Sequence, residues 1–181
     1  MEHKGFTLWF TGLPCSGKTT LADAVADDLR ARRMKVERLD GDIVRKGLTR
    51  DLGFSKEDRA MNIERVTFVA KLLTRNGVAV LCTFVSPYNS IRRKSREEIG
   101  EYILVDVKAT PGVCAERDIK GMWAKAKAGE IKNFTGYDDP YEEPDNAQIT
   151  VDTDKETVEE SKTIVINWLY KNGYLPNSEK V

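Results

Sequence analysis

Phe6-Thr7-Leu8-Trp9-Phe10-Thr11-Gly12-Leu13-Pro14-Cys15-Ser16-Gly17-Lys18-Thr19-Thr20 decides the fold. Phe6–Phe10 is a short, β-rich apolar run and reads as a strand. From Lys18 to Arg32, Leu21, Val25 and Leu29 recur at helical spacing on one face. Between them, Gly12-Leu13-Pro14-Cys15-Ser16-Gly17-Lys18-Thr19 is a full G-x-x-x-x-G-K-[ST] match. Glycines at both ends let such a loop curl its N–H groups onto phosphate oxygens, and the helix start adds partial positive charge. Lys18 suits the β- and γ-phosphates, and the Thr19 hydroxyl suits Mg²⁺. The expected ligand is therefore ATP with Mg²⁺, held by Gly12 through Thr20. Cys15 reads either as a small packing residue or as a reactive thiol activated near a helix start.

Outward from this loop, apolar runs alternate with amphipathic segments, which predicts an α/β fold with a five-stranded, mostly parallel sheet flanked by helices. Val36–Leu39, Val78–Val85, Ile103–Val107 and Gln148–Val151 supply the remaining strands. A helix from a Ser55 cap to about Asn76 stops at Gly77, with Val66, Val69, Leu72 and Leu73 as its buried stripe. Thr153 with Glu156 has capping-box spacing for a last helix that ends near Lys171, before Gly173. The Gly-, Lys-, Asp- and Pro-rich stretch Asp118–Asn146 is too long for an idle connector and predicts a mobile lid within one domain spanning residues 1–181.

Composition narrows the partners. Lys+Arg and Asp+Glu both number 29 in 181 residues, so no overall field favours nucleic acid or an anionic membrane. No apolar run approaches the ~20 residues that span a bilayer. Cys15, Cys82 and Cys114 lack metal-ligand spacing and read as free thiols of a cytoplasmic protein. The single histidine, His3, stands at the polar start, which removes histidine from the chemistry. Small-molecule substrates are expected; the oligomeric state is left open, with a homodimer admissible.

The second strand runs into Leu39-Asp40-Gly41-Asp42. Strand C-termini of a parallel sheet line the ligand crevice, which brings both carboxylates toward the phosphate loop. Asp40 can orient and deprotonate a hydroxyl or hold water on Mg²⁺; Asp42 can share that work or cap the next short helix. Arg45 follows, and Arg59, Asn62 and Arg65 recur every three residues, which reads as one helix face offering guanidinium forks to oxyanions. A solvated charged face has the same pattern. The short chain, the missing Asp at the end of Val78–Val85 and the absence of N-K-x-D favour a small-molecule kinase over a switch GTPase.

Together these motifs resemble the adenylyl-sulfate (APS) kinases, through Thr11–Thr20, Leu39–Asp42, Gly53–Arg59, Asn62-x-x-Arg65, Phe84–Tyr88, Arg117–Gly121, Ala128–Lys132 and Phe134–Gly136. The resemblance implies a P-loop kinase that moves the ATP γ-phosphate to the 3′-hydroxyl of adenylyl sulfate. By position, it implies Asp40 and Lys18 as catalytic groups, with Ser86 counted among the catalytic positions, and Asp40 with Thr19 at the metal. Asp42, Arg45, Arg59, Asn62, Arg65, Val85, Ser86, Lys120 and Asn133 would contact the acceptor. Phe54 and Phe134 would sandwich its adenine, and Arg117 would cover the adenine of ATP beside Thr153–Glu156. The family's serine, here Ser86, is often described as a phosphoserine intermediate; direct transfer needs none, which leaves a binding or strand-end role open to it. Pro14-Cys15-Ser16 departs from the family's more common Ser-Gly-Ala, and Ile43 and Lys46 depart from Asn and from His or Gln. Another small P-loop kinase, for a nucleoside monophosphate or polyol, and a non-catalytic nucleotide sensor are the competing readings.

Overall fold

Strand β1 (Phe6–Thr11) is buried along its whole length, as an apolar run covered on both faces requires. Phe6, Leu8 and Phe10 point to one face and Trp9 to the other, following the two-residue period of a strand. The computed structural model describes residues 4–176, so His3 lies outside the described residues. All five strands are parallel, in the order β2 (Val36–Asp40), β3 (Ala79–Thr83), β1, β4 (Tyr102–Lys108), β5 (Ile149–Asp152).

Helices α1 (Lys18–Ala31) and α7 (Val158–Lys171) cover one face, where Leu21, Val25 and Leu29 meet Val165 and Leu169 over Leu8 and Phe10. The other face belongs to α3 (Lys56–Arg75) and α4 (Asn89–Ile99), with Ile63, Val66, Ala70 and Ile99 packed on Trp9, Val80 and Leu104. Short α2 (Gly41–Lys46), α5 (Pro111–Glu116) and α6 (Met122–Lys127) sit at the strand C-termini. No helix among the described residues is long and apolar enough to cross a membrane.

Two readings are corrected here. The buried stripe of α3 is Asn62, Ile63, Val66, Thr67, Ala70 and Thr74, whereas Val69, Leu72 and Leu73 are only partly buried. The cap of α7 is Thr157 with Glu160, a complete capping box, and not Thr153 with Glu156. Thr153 is already engaged: its hydroxyl donates to the Ser16 carbonyl at 2.9 Å and the Lys108 carbonyl at 3.1 Å. Ser55, by contrast, caps α3 as expected, accepting from the Asp58 N–H.

Candidate active site

The phosphate loop is built by close approach. A Cβ at Gly12 would lie 2.4 Å from the Val107 carbonyl oxygen and 2.7 Å from Ser16 Oγ, so only glycine fits there. Lys18 is folded into its own loop, donating to the Gly12 carbonyl at 3.0 Å and the Leu13 carbonyl at 2.6 Å. Burial pushes its pKa down to about 8, as expected for an ammonium out of water. Thr19 and Thr20 are exposed in the first turn of α1. Arg117 reaches the Thr153 hydroxyl at 2.9 Å and its carbonyl at 2.6 Å. Because Thr153 holds Ser16, this places Arg117 against the loop.

Asp40 ends β2 and caps α2 at once. Its Oδ1 accepts from the Asp42 N–H at 3.0 Å, and its Oδ2 accepts from Thr83 Oγ1 at 2.7 Å and Thr19 Oγ1 at 3.0 Å. Burial works to raise its pKa, but these three hydrogen bonds outweigh it and hold Asp40 below the ordinary carboxylate value. It is therefore Asp40, not Asp42, that caps the short helix. Asp42 is left exposed and pairs with Lys120, which reaches across from the segment expected to form the lid.

Arg45, Phe54, Arg59 and Phe134 converge on the far side of this corner. The Arg45 guanidinium stacks over the Phe54 ring at 4.3 Å, while Nη1 donates to the Gly53 carbonyl at 3.0 Å and the Leu52 carbonyl at 3.3 Å. Phe54 is 65% exposed, and Phe134 is 8% exposed, set edge-on to Trp123 at 5.1 Å. Asn133, at φ 58, gives its carbonyl to Arg59. Asn62 is buried and accepts from Thr49 Oγ1 at 2.7 Å. Arg65 does not join them: it pairs with Asp51 at 2.7 and 2.8 Å. Steps of three residues lag a full helical turn by about 60°, so Arg59, Asn62 and Arg65 do not share one face.

Ser86 stands at φ 43 and is buried. Its hydroxyl accepts from Trp9 Nε1 at 2.9 Å and its carbonyl from Arg92, an arrangement of a strand end rather than of an activated nucleophile. The Val85 carbonyl accepts from Thr11 Oγ1 at 2.6 Å. Beyond it, the end of the expected lid is pinned: Glu142 N–H donates to the Pro87 carbonyl at 2.8 Å, Asn89 Nδ2 to the Glu143 carbonyl at 3.0 Å, and Arg96 to the Asn146 carbonyl at 3.0 Å. The freer part of Asp118–Asn146 thus ends near Pro140. A cavity of about 740 Å³ lies between the loop residues Gly12 and Leu13 and the Gly136–Tyr141 strap, floored by Asp106 and Lys108. None of Arg45, Phe54 and Arg59 lines it.

Three residues escaped the sequence reading. Trp123 donates from Nε1 to the Pro14 carbonyl at 3.2 Å, tying the segment expected to form a lid to the phosphate loop; a lone Trp in a polar stretch was its signal. Asp138 accepts from the Asn133 and Phe134 N–H groups at 2.9 and 2.5 Å, and Asp139 pairs with Arg59 at 2.9 Å. In the sequence both read only as loop-formers. Of the two readings of Cys15, the structure favours the packing residue over the activated thiol: burial, then the Asp118 carboxylate 3.9 Å from Sγ, pushes its thiol up, not down. Cys15 is therefore expected to alkylate at pH 8 more slowly than an unstructured thiol, and more slowly still under saturating MgATP. Peptide mass spectrometry of iodoacetamide-treated protein checks both; a Cys15 faster than free cysteine would contradict the geometry.

The family model for adenylylsulphate kinase matches residues 4–152. The adenylyl-sulfate kinase of Halothermothrix orenii is 57% identical over 180 residues, covering 99% of this chain and 97% of that protein. A probable adenylyl-sulfate kinase of Pseudomonas aeruginosa is 60% identical over 166 residues, 92% of this chain and 78% of that one. Among solved structures, the APS kinase of Mycobacterium tuberculosis in complex with AMPPNP and APS superposes with a TM-score of 0.88 at 40% identity, covering 93% of this chain and 99% of that chain.

Proposed function

The chain belongs to the adenylylsulphate kinase family, and on that premise we propose that it moves the γ-phosphate of ATP to the 3′-hydroxyl of adenylyl sulfate. The 3′-oxygen bonds to phosphorus, the bond to the ADP oxygen breaks, and the hydroxyl proton leaves, giving 3′-phosphoadenylyl sulfate and ADP. The observation that carries this reading is the placement of Phe54 and Phe134, bridged by Arg59, beside a phosphate loop whose Thr19 touches Asp40. Aromatic faces select an adenine acceptor, which a polyol kinase has no use for.

In this mechanism Lys18 leaves the Gly12 and Leu13 carbonyls to neutralise the transferring phosphoryl group. Asp40, ionised at neutral pH, orients the 3′-hydroxyl and takes its proton as transfer completes; a depressed pKa makes it a weak base, which late proton transfer tolerates. Arg59, Asn62, Arg45, Asn133 and Lys120 surround the acceptor, with Asp42 holding Lys120 in place. Arg117 covers the adenine of ATP. Ser86 serves through its position in the loop just after β3, without a phosphorylated intermediate.

The residues present fit Mg²⁺. Thr19 Oγ1 and Asp40 Oδ2 are hard oxygen donors 3.0 Å apart. Phosphate oxygens and waters would supply most of the remaining ligands. Bound there, Mg²⁺ would offset charge on the β- and γ-phosphates. Cys15, Cys82 and Cys114 are free thiols, which suits work in the cytoplasm as part of sulfate assimilation. No step requires a second copy of the chain or any partner beyond the two substrates.

A coupled ADP-release assay with adenylyl sulfate, AMP, shikimate and gluconate tests the reading. Turnover is expected with adenylyl sulfate and at least ~100-fold less with the others, since a site built to bind a particular polar group rejects analogues lacking it. Preference for AMP or a polyol would replace this function with another P-loop kinase activity; ATP binding without turnover on any acceptor would make the chain a nucleotide sensor.

A further inference from the structure

A guanidinium carries five N–H groups, and Arg59 commits most of them within the chain. Nε donates to the Phe54 carbonyl at 2.9 Å, Nη1 to Thr135 Oγ1 and Asp139 Oδ2 at 2.9 Å each, and Nη2 to the Asn133 carbonyl. One side chain thus spans from the loop bearing Phe54 to the turn bearing Phe134. Of its four acceptors only Asp139 is charged, and the two side chains of that pair are 16% and 18% exposed. An ion pair so shielded holds geometry better than one at the open surface.

The turn on which Asp139 sits is closed on itself. Gly136 N–H donates to the Asp139 carbonyl at 2.9 Å, Tyr137 N–H to the Phe134 carbonyl at 3.0 Å, and Asp138 accepts from the Asn133 and Phe134 N–H groups. Its far side rests on the phosphate loop, for a Cβ at Gly136 would lie 2.6 Å from Leu13 Cδ2 and 3.3 Å from Trp123. A pull on the Asp139 carboxylate therefore carries Phe134 with it.

We propose that Asp139 is a positioning residue for the acceptor: by clasping Arg59 it fixes the distance between Phe54 and Phe134 and aims the remaining Nη2 N–H into the acceptor site. This rests on the function proposed above. The opposing idea, that the carboxylate merely stands where the acceptor's own anion will bind, predicts an effect of the opposite sign.

Asp139→Asn, which keeps the size and loses the charge, separates the two. The clasp predicts that KM for adenylyl sulfate rises about tenfold, as for loss of one charge-assisted hydrogen bond, while kcat and KM for ATP stay within about twofold. Asp139→Glu restores part of the loss. Amides of residues 133–139 exchange faster in Asp139→Asn without any ligand, a comparison that holds whatever the acceptor. A KM that falls or stays the same, or unchanged exchange, overturns the clasp. A wild-type enzyme inactive on adenylyl sulfate sinks the functional reading instead, and the exchange comparison then still decides the clasp.

Discussion

Lys18→Ala and Asp40→Asn are each expected to lower kcat/KM by about 10²- to 10³-fold or more, the range for removing one group that stabilises transition-state charge. The fold should survive both. Lys18 bonds only to its own loop, so its loss leaves no distant partner unsatisfied. Asn is the cleaner test at position 40, because it still accepts from the Asp42 N–H and caps α2. Ala would also orphan the Thr19 and Thr83 hydroxyls, mixing a structural loss with a chemical one. Steady-state kinetics beside thermal melts check the prediction. An Asp40→Asn enzyme with near-normal turnover would remove Asp40 from both the proton and the metal role.

Lys18 also sets a pH dependence with a definite sign. With its pKa pushed down to about 8 in the free protein, the ammonium is lost as pH rises through that value. ATP affinity of the free enzyme is then expected to fall above about pH 8, because bound phosphates favour the charged form and must bring the proton with them. Calorimetric titration from pH 7 to pH 9 reads this directly, and the slope should vanish in Lys18→Ala.

The parts of this molecule legible in its sequence are those where one local rule and the tertiary structure agree. Strand β1, the loop from Gly12 and helix α1 follow from apolar period and glycine spacing, and they carry the nucleotide chemistry. Helix α4 was not visible because its buried residues are Arg92, Ser95 and Ile99. Arg92 is buried by donating to the Ser86 and Glu142 carbonyls, which no hydrophobic period reports. The cap of α7 was misplaced because Thr153-x-x-Glu156 and Thr157-x-x-Glu160 have identical spacing; only the engagement of Thr153 with Ser16 and Lys108 tells them apart. Asp138 and Asp139 look alike in a turn-forming run, yet one organises the backbone of Phe134 and the other reaches 80 residues back to Arg59. Long-range partners of this kind have no sequence period to announce them.

Phe134→Ala is expected to raise KM for adenylyl sulfate by about 10- to 100-fold, since stacking of a base on an aromatic ring is worth ~1–3 kcal/mol. The ring is firmly held. Asp138 fixes its backbone, Trp123 supports its edge, and Trp123 is in turn bonded to Pro14 of the phosphate loop. Phe54 should show a similar loss on truncation but a smaller effect on closure, because its exposed ring packs against Arg45 and not against residues 118–140. Phosphoryl transfer requires water to be kept from the γ-phosphate, and if residues 118–140 form the expected lid, they would do so. Their amides should therefore exchange more slowly when ADP and adenylyl sulfate are present together. Residues 141–146, pinned to α4 and to the strand-end loop before it, should be slow in both conditions. That contrast guards the test against a general tightening of the fold. In Phe134→Ala the ligand-dependent slowing of 118–140 should shrink, because the acceptor's adenine then has no ring on the lid to grip. Equal exchange with and without both ligands in the wild-type protein would leave this segment a static connector, and the loss of affinity in Phe134→Ala would then be a matter of contact alone.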